Sequence, residues 1–490
     1  MSQFRSNYQK IVLGLKIKQL RQEKGLSFGE FAERTGMSMS YLNEIEKGKK
    51  YPKEDKIDVL AKALGVENAV LTSASLSKNL APLGELLNSN FLSELPLDLF
   101  GIDLQKVVEL IAEAPSKVGA FISTLVELGR TYAVGEENFY FRALRAYQEL
   151  HNNYFEEIED AAENFIEKHK LKHPLSLDEL TKIISIDFET QIVLDGLRAY
   201  PELQHFRSLA LPQHQKLLLN GLLNHHQIVY QLAKEIGFKV LGLEARVIPG
   251  LRAQTFEEVL NNFKAAYFAV AILIPKDDFI RDIRQFFENE KWDALYFSHL
   301  MVKYAVSSET LFQRFNVLPR FFGIEKLFFM RFIHKIENDE FDIDKELHLF
   351  QRHQPHANGL FEHYCRRWKS ISLIRDLNNA NLSKNATLCD IQRQKYSEGQ
   401  EEYLTFTLAR PAYPSPNRNV SVTIGLQIDN HLRKTIKFID HLDLHTTQVG
   451  VTCERCPIEN CKERVAPPLR LEERERRKKI QQTLTDIAKS

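Results

Sequence analysis

The chain has 490 residues, 43% of them hydrophobic and 27% charged, a composition of folded domains that excludes a disordered or collagen-like protein. Its 65 basic and 65 acidic side chains cancel, so no global field draws in nucleic acid, and any such affinity has to come from a local patch. No apolar run is long enough to span a bilayer, the opening MSQFRSNYQK holds no apolar signal core, and five cysteines make no disulfide framework. The expectation is a cytoplasmic protein without a membrane partner, built from roughly two to four domains.

Residues 27–50, SFGEFAERTGMSMSYLNEIEKGKK, are expected to form two short helices joined by a tight turn. Ser27 with Glu30 three residues on makes a capping box, and Gly36 suits a helix end that needs positive φ. Met37 points inward, Ser38 caps the second helix, and Leu42 and Ile45 lie on its buried side. Ser38, Ser40, Tyr41 and Asn43 are then expected to face base edges in a major groove, with Lys47, Lys49 and Lys50 where phosphates pass. Leu20-Arg21, Gly25-Leu26-Ser27, Phe31-Ala32, Gly36-Met37-Ser38, Ile45-Glu46-Lys47-Gly48-Lys49-Lys50 and Pro52 give this segment a layout that resembles the Xre-type helix-turn-helix family.

Residues 71–90 read as a polar linker, and 91–134 carry the periodicity of a helical connector. A long amphipathic helical stretch is expected over 137–171. A capped helix over 175–183 and a strand over 184–194 follow, with 207–211 and 216–219 as its neighbours. Further helices are expected over 225–238, over 256–273 with Thr255 as a cap, and over 294–306 and 308–316 with Ser308 as a cap. From Gly323 the pattern turns to strands, at 327–333, 403–408, 420–426 and 435–439, with a polar turn at Glu337-Asn338-Asp339. A charged helix, LRLEERERRKKIQQTLTDIAKS, closes the chain as a solvated face.

Residues 143–315 resemble the ImmA/IrrE-type metallopeptidase domain, in which a helix after a hairpin carries His-Glu-x-x-His. Two histidines at that spacing hold zinc from one helix face while the glutamate activates water. Here the stretch reads Lys234-Glu235-Ile236-Gly237-Phe238. A lysine ammonium has no lone pair for zinc and phenylalanine no donor atom, so neither zinc nor catalysis is expected. His205, His214, His225 and His226 are poorly spaced to replace the lost ligands.

Cys453, Cys456 and Cys461 form a C-x2-C-x4-C run, CERCPIENC. Two cysteines so spaced present both sulfurs to one metal from a tight turn, and the third is within reach. Cys365, in Cys365-Arg366-Arg367-Trp368, is the candidate fourth ligand, and Cys389 is the spare. Four thiolates from two distant segments suit a structural zinc or a [4Fe–4S] cluster, and spacing does not choose between them.

Taken whole, the chain resembles the short-chain fatty acyl transcriptional regulators. The resemblance rests on Ser40-Tyr41-Leu42-Asn43-Glu44-Ile45-Glu46, on Leu150-His151-Asn152-Asn153 with Glu159-Asp160-Ala161-Ala162-Glu163, on Cys365-x-Arg367-Trp368, and on 450–468 with its three cysteines, Arg464 and Pro467-Pro468. Between Phe332 and Tyr364 the chain departs from that pattern. The resemblance implies a DNA-binding regulator that answers to acyl-CoA or CoA as effector and carries an iron–sulfur centre, with structural zinc as the alternative, and the small footprint of one bundle calls for a homodimer on the operator. The expected fold is mainly α with an α+β C-terminal part. It comprises a helix-turn-helix bundle at 8–68, a connector at 69–136, a degenerate ImmA/IrrE-like helical domain at 137–320, an antiparallel-sheet sensor domain at 321–470 and a charged helix at 471–490. The rival functions are a peptidase that cleaves a repressor partner and an antitoxin-like module that grips a protein.

Overall fold

The computed structural model describes residues 2–73, 136–248, 251–349, 362–379, 387–397, 401–412, 417–441 and 443–489. The expected helical connector at 91–134 lies outside them. The chain divides into two compact units, one formed by 1–143 with 254–257 and the other by 144–253 with 258–490.

The first unit holds the N-terminal bundle: α1 (Ser2–Glu23), α2 (Phe28–Thr35), α3 (Met39–Glu46), α4 (Glu54–Leu64) and α5 (Asn68–Thr72). Local chemistry sets its boundaries. Ser27 accepts from the Glu30 amide while Glu30 reaches back to the Ser27 amide, the capping box read from the sequence. Gly36 ends α2 at φ 64°, and Ser38 starts α3 by accepting from the Tyr41 amide. Phe31, Met37, Leu42, Ile45, Ile57, Leu60 and Leu64 fill one core with Leu13 and Ile17 of α1.

After the bundle, α6 (Glu136–Leu150) and α7 (Glu156–His169) replace the single helix expected over 137–171. The chain breaks at Asn152 and Asn153, with φ of 50° and 52°, a left-handed turn that asparagine tolerates better than most side chains. α8 (Leu177–Ile186) opens on a Ser176–Glu179 capping box and continues through the segment expected to be a strand. Leu180, Ile183 and Ile184 lie on its buried side at helical spacing, whereas Ile186, within the segment expected to be a strand, is 72% exposed. Only β1 (Gln191–Val193) remains extended there. It pairs parallel with β3 (Lys216–Leu219), which pairs antiparallel with β2 (Ser208–Leu211).

α9 (His225–Val240) follows that hairpin, with Asn224 and Gln227 forming its own capping box. α10 (Phe256–Leu273), α11 (Lys276–Phe287), α12 (Ala294–Tyr304), α13 (Ser308–Gln313) and α14 (Leu318–Phe322) complete the helical part. The cap of α13 is Ser307, not Ser308. Ser307 accepts from the Thr310 amide, and its neighbour is buried one step inside the helix.

The remainder is a six-stranded sheet ordered β5-β4-β8-β7-β6-β9. Its strands are β4 (Leu327–Lys335), β5 (Glu340–His348), β6 (Leu388–Tyr396), β7 (Glu402–Pro411), β8 (Arg418–Gln427) and β9 (Thr446–Val449). All neighbours are antiparallel except β6 and β9, so the sheet is mixed rather than purely antiparallel. α15 (Lys369–Asn379) packs on it through Ile371, Leu373 and Ile374. The strand expected at 435–439 is instead the end of α16 (Asn430–Thr435), capped by Asp429, and a single 3-10 turn that buries Phe438 and Ile439. Phe286 of α11 and Phe297 of α12 pack edge-on against Phe406 of β7. The helices and the sheet thus share one aromatic core across the boundary expected at 320/321. α17 (Leu469–Lys489) closes the chain with its charges exposed, as expected.

Candidate functional site

In the bundle, Leu42 and Ile45 face the core while Ser40 and Asn43 are exposed on the opposite side of α3. Tyr41 is half-buried, and its ring lies beneath two ammonium groups, Lys56 at 5.5 Å and Lys50 at 5.7 Å. Lys50 is also paired with Glu44 at 2.8 Å, which raises its pKa through a hydrogen bond and the opposite charge. Ser38 is spent on the cap, its Oγ accepting from the Tyr41 amide. Lys47 and Lys49 follow in the turn after α3, where Gly48 has φ 68°. The structure therefore brings all seven expected residues to the second helix and the turn behind it. Lys56 joins them from α4, a residue that sequence reading passed over because it sits in another helix.

That face is held from behind. Gly14 of α1 lies so close to the end of α3 that an added Cβ would stand 2.3 Å from the Ile45 carbonyl oxygen. Arg21 reaches across to Glu46 with Nε–Oε1 2.7 Å and Nη2–Oε2 3.0 Å, and donates a third bond to the Leu26 carbonyl.

On α9, the stretch compared in the sequence with a His-Glu-x-x-His motif is engaged in other contacts. Lys234 donates to Asn262 Oδ1 at 2.6 Å. Glu235 is held by a bidentate Arg246, at 2.6 and 3.0 Å. The same guanidinium lies 4.1 Å from the Phe238 ring centre.

Four of the five cysteines lie in two paired segments and the loop that follows them, beyond β9. Residues 362–365 run antiparallel to 450–453. A Tyr364–Thr452 bridge pairs them, and the Cys365 and Cys453 amides donate to Val451 and His363 carbonyls at 3.1 and 2.8 Å. The Gly450 amide points at Cys365 Sγ from 3.4 Å, and a Cβ on Gly450 would lie 2.8 Å from Cys456 Sγ. Cys365, Cys453 and Cys456 are buried and Cys461 half-buried, and all five cysteines are free thiols. Arg464 clasps the loop by donating to the carbonyls of Cys453, Cys456 and Ile458 at 2.7–3.0 Å. Burial pushes the Cys365 thiol up to about 11 and raises Cys456 too. Such thiols ionise only beside a strong cation. In donor type the four sulfurs suit a thiolate-bound centre. Among the described residues, however, no three His, Cys, Asp or Glu side chains converge closely enough to hold a metal ion. Cys389 stands apart on β6, its thiol pushed up by burial to about 12.

Residues 12–74 match the family model of a helix-turn-helix domain, and residues 379–483 match that of the short-chain fatty acyl coenzyme A regulator C-terminal domain. This chain is a helix-turn-helix transcriptional regulator that carries a short-chain fatty acyl coenzyme A regulator C-terminal domain. The regulator is 23% identical to the HTH-type transcriptional regulator RamB of Mycobacterium tuberculosis over 503 residues, covering 94% of this chain and 95% of that one. It is 22% identical to the propionyl-CoA carboxylase regulator of Cereibacter sphaeroides over 491 residues, with the same coverage. Its bundle is 37% identical over 62 residues to an HTH-type transcriptional regulator of Sinorhizobium fredii, which covers 13% of this chain and 80% of that protein. These relatives are transcriptional regulators rather than enzymes. The regulator's C-terminal match takes in Cys453, Cys456 and Cys461 but begins after Cys365. Among the described residues no helix is long and apolar enough to cross a membrane.

Proposed function

We propose that the regulator reads an operator in a bacterial-type promoter through α3 as a homodimer, and that a short-chain acyl-CoA controls its grip. Ser40, Tyr41 and Asn43 reach base edges, Ser38 keeps the start of α3 fixed at the groove, and Lys47, Lys49 and Lys50 contact phosphates. One bundle has a small footprint, so useful affinity calls for two of them on half-sites roughly 34 Å apart. The effector shifts the pair between competent and incompetent forms only by binding one of them more tightly. The choice of an acyl-CoA is supported by the C-terminal family and by the relative named for propionyl-CoA carboxylase.

Cys365, Cys453, Cys456 and Cys461 are the residues that would hold a [4Fe–4S] cluster or a structural zinc ion. Such a group supplies a cross-link and, in the iron–sulfur case, a redox-active centre. The chain's own part is to shield those sulfurs, through Trp368 and the paired segments 362–365 and 450–453, and to fix the loop with Arg464.

The observation that carries the regulatory reading is the capped α3 with Ser40 and Asn43 exposed on its outer face, in the same chain as an acyl-CoA-regulator domain. Gel shifts of the full-length protein on promoter fragments of acyl-CoA-metabolising genes test it, with propionyl-CoA or acetyl-CoA added. A salt-sensitive preference for one fragment, changed by the thioester, is expected. Equal binding to all fragments, with and without thioester, would refute it.

A further inference from the structure

α3 turns its two acidic side chains in opposite directions. Glu46 is buried against Arg21, whereas Glu44 faces outward with 39% of its side chain exposed. At about 100° per residue, Ser40 and Glu44 stand one turn apart on the side opposite Leu42 and Ile45, with Asn43 beside them. Glu44 thus lies nearer the middle of the exposed face than Tyr41 does.

A carboxylate in that place is repelled by phosphates, and Lys50 removes the obstacle. The Lys50 ammonium lies 2.8 Å from Glu44 Oε2 and 5.7 Å from the Tyr41 ring centre. The Lys49 and Lys50 amides also donate to the Glu44 carbonyl, at 2.8 and 3.2 Å, so the basic turn is tied to this one residue. An ammonium has three donors, and Lys50 can hold Glu44 and a phosphate together. An exposed ion pair of this kind adds little to folding stability, so removing the carboxylate is expected to leave the melt in place.

An ionised carboxylate accepts hydrogen bonds and cannot donate. Guanine and thymine turn acceptors toward the major groove, and adenine sets its amino donor beside the N7 acceptor. Cytosine offers an amino donor alone. We propose that Glu44 is a specificity-determining residue that selects a C·G pair at one position of each half-site, accepting from the cytosine amino group while Lys50 screens it from the phosphates. The inference rests on the operator reading above and adds a base that its other side chains do not choose, because asparagine matches adenine and a serine hydroxyl serves several bases.

The test is selection from a library of randomised duplexes by the full-length parent, Glu44→Gln and Glu44→Ala, followed by Kd measurements on the enriched sequence and its single-base variants. The parent is expected to enrich a motif with cytosine at a fixed position of each half-site, and to lose about tenfold or more in affinity when that pair is changed. Glu44→Gln, whose amide matches adenine, is expected to move that position to A·T. Glu44→Ala is expected to accept any base there. The rest of the motif and the melt should be unchanged in both variants. The same motif in all three proteins, a change spread over every position, or a parent motif without cytosine at the altered position overturns the proposal and leaves the operator reading standing. A parent that enriches no motif overturns both.

Discussion

The Arg21 guanidinium holds the Glu46 carboxylate in a two-pronged ion pair, both side chains buried, and so joins α1 to the end of α3. Removing one partner of such a pair strands the other charge. Glu46→Leu is expected to destabilise the bundle by about 3–5 kcal/mol, read as a lower thermal midpoint. The double variant Arg21→Met, Glu46→Leu should recover much of that loss. A single variant that melts like the parent would mean the pair carries little of the bundle's stability.

Asn43 is exposed on α3 and supports no core contact. Asn43→Ala is expected to weaken operator binding by about 1–3 kcal/mol, the scale of one good base contact, with an unchanged melt. Lys49→Gln should instead weaken binding to all fragments alike and flatten the salt dependence. Equal losses on specific and unrelated DNA for Asn43→Ala would remove it from base readout.

Glu159 lies fully buried between Arg314, at 2.5 and 2.9 Å, and the Tyr267 hydroxyl, at 2.8 Å. Burial alone would raise its pKa, but the Arg314 charge and these hydrogen bonds outweigh it and hold the carboxyl below the ordinary range. A depressed folded pKa gives stability that is complete above the ordinary carboxylate range and is lost as pH falls through it toward the folded value. Melting points of the second unit should therefore drop on acidification through that range. Glu159→Gln should start lower at neutral pH and fall less steeply. An equally steep fall in the variant would assign the acid loss to other carboxylates.

Arg464 alone satisfies three backbone carbonyls of the cysteine loop. Arg464→Ala should loosen residues 453–464, at a cost of roughly 1–3 kcal/mol. Faster amide exchange confined to that loop is the expected signature, and unchanged exchange there would show that the loop is held by other contacts.

If the four sulfurs bind a shared centre, Cys456→Ser should lower its content and the melting point together, while Cys389→Ser changes neither. Iron, sulfide and zinc assays on anaerobically purified protein decide this. An equal metal content in the parent and Cys456→Ser would disprove ligation by that residue.

The bundle was legible because its signals are local: Ser27 with Glu30, Gly36 and Ser38 act within one turn of chain. β5 and β6 show weak hydrophobic alternation because Asp342, Asp344, Lys345 and Gln392 stand on their exposed or half-exposed faces and Gln394 takes a buried position. Phe438 and Ile439 looked like a strand because burial was legible and the Asp429 cap was not weighed against it.

Gly14 presses backbone on backbone against the last turn of α3, leaving no side chain between them to repack. A joint of this kind behaves like a weld rather than a hinge. If α3 reads an operator, a signal is expected to move the bundle as a whole rather than tilt α3 within it.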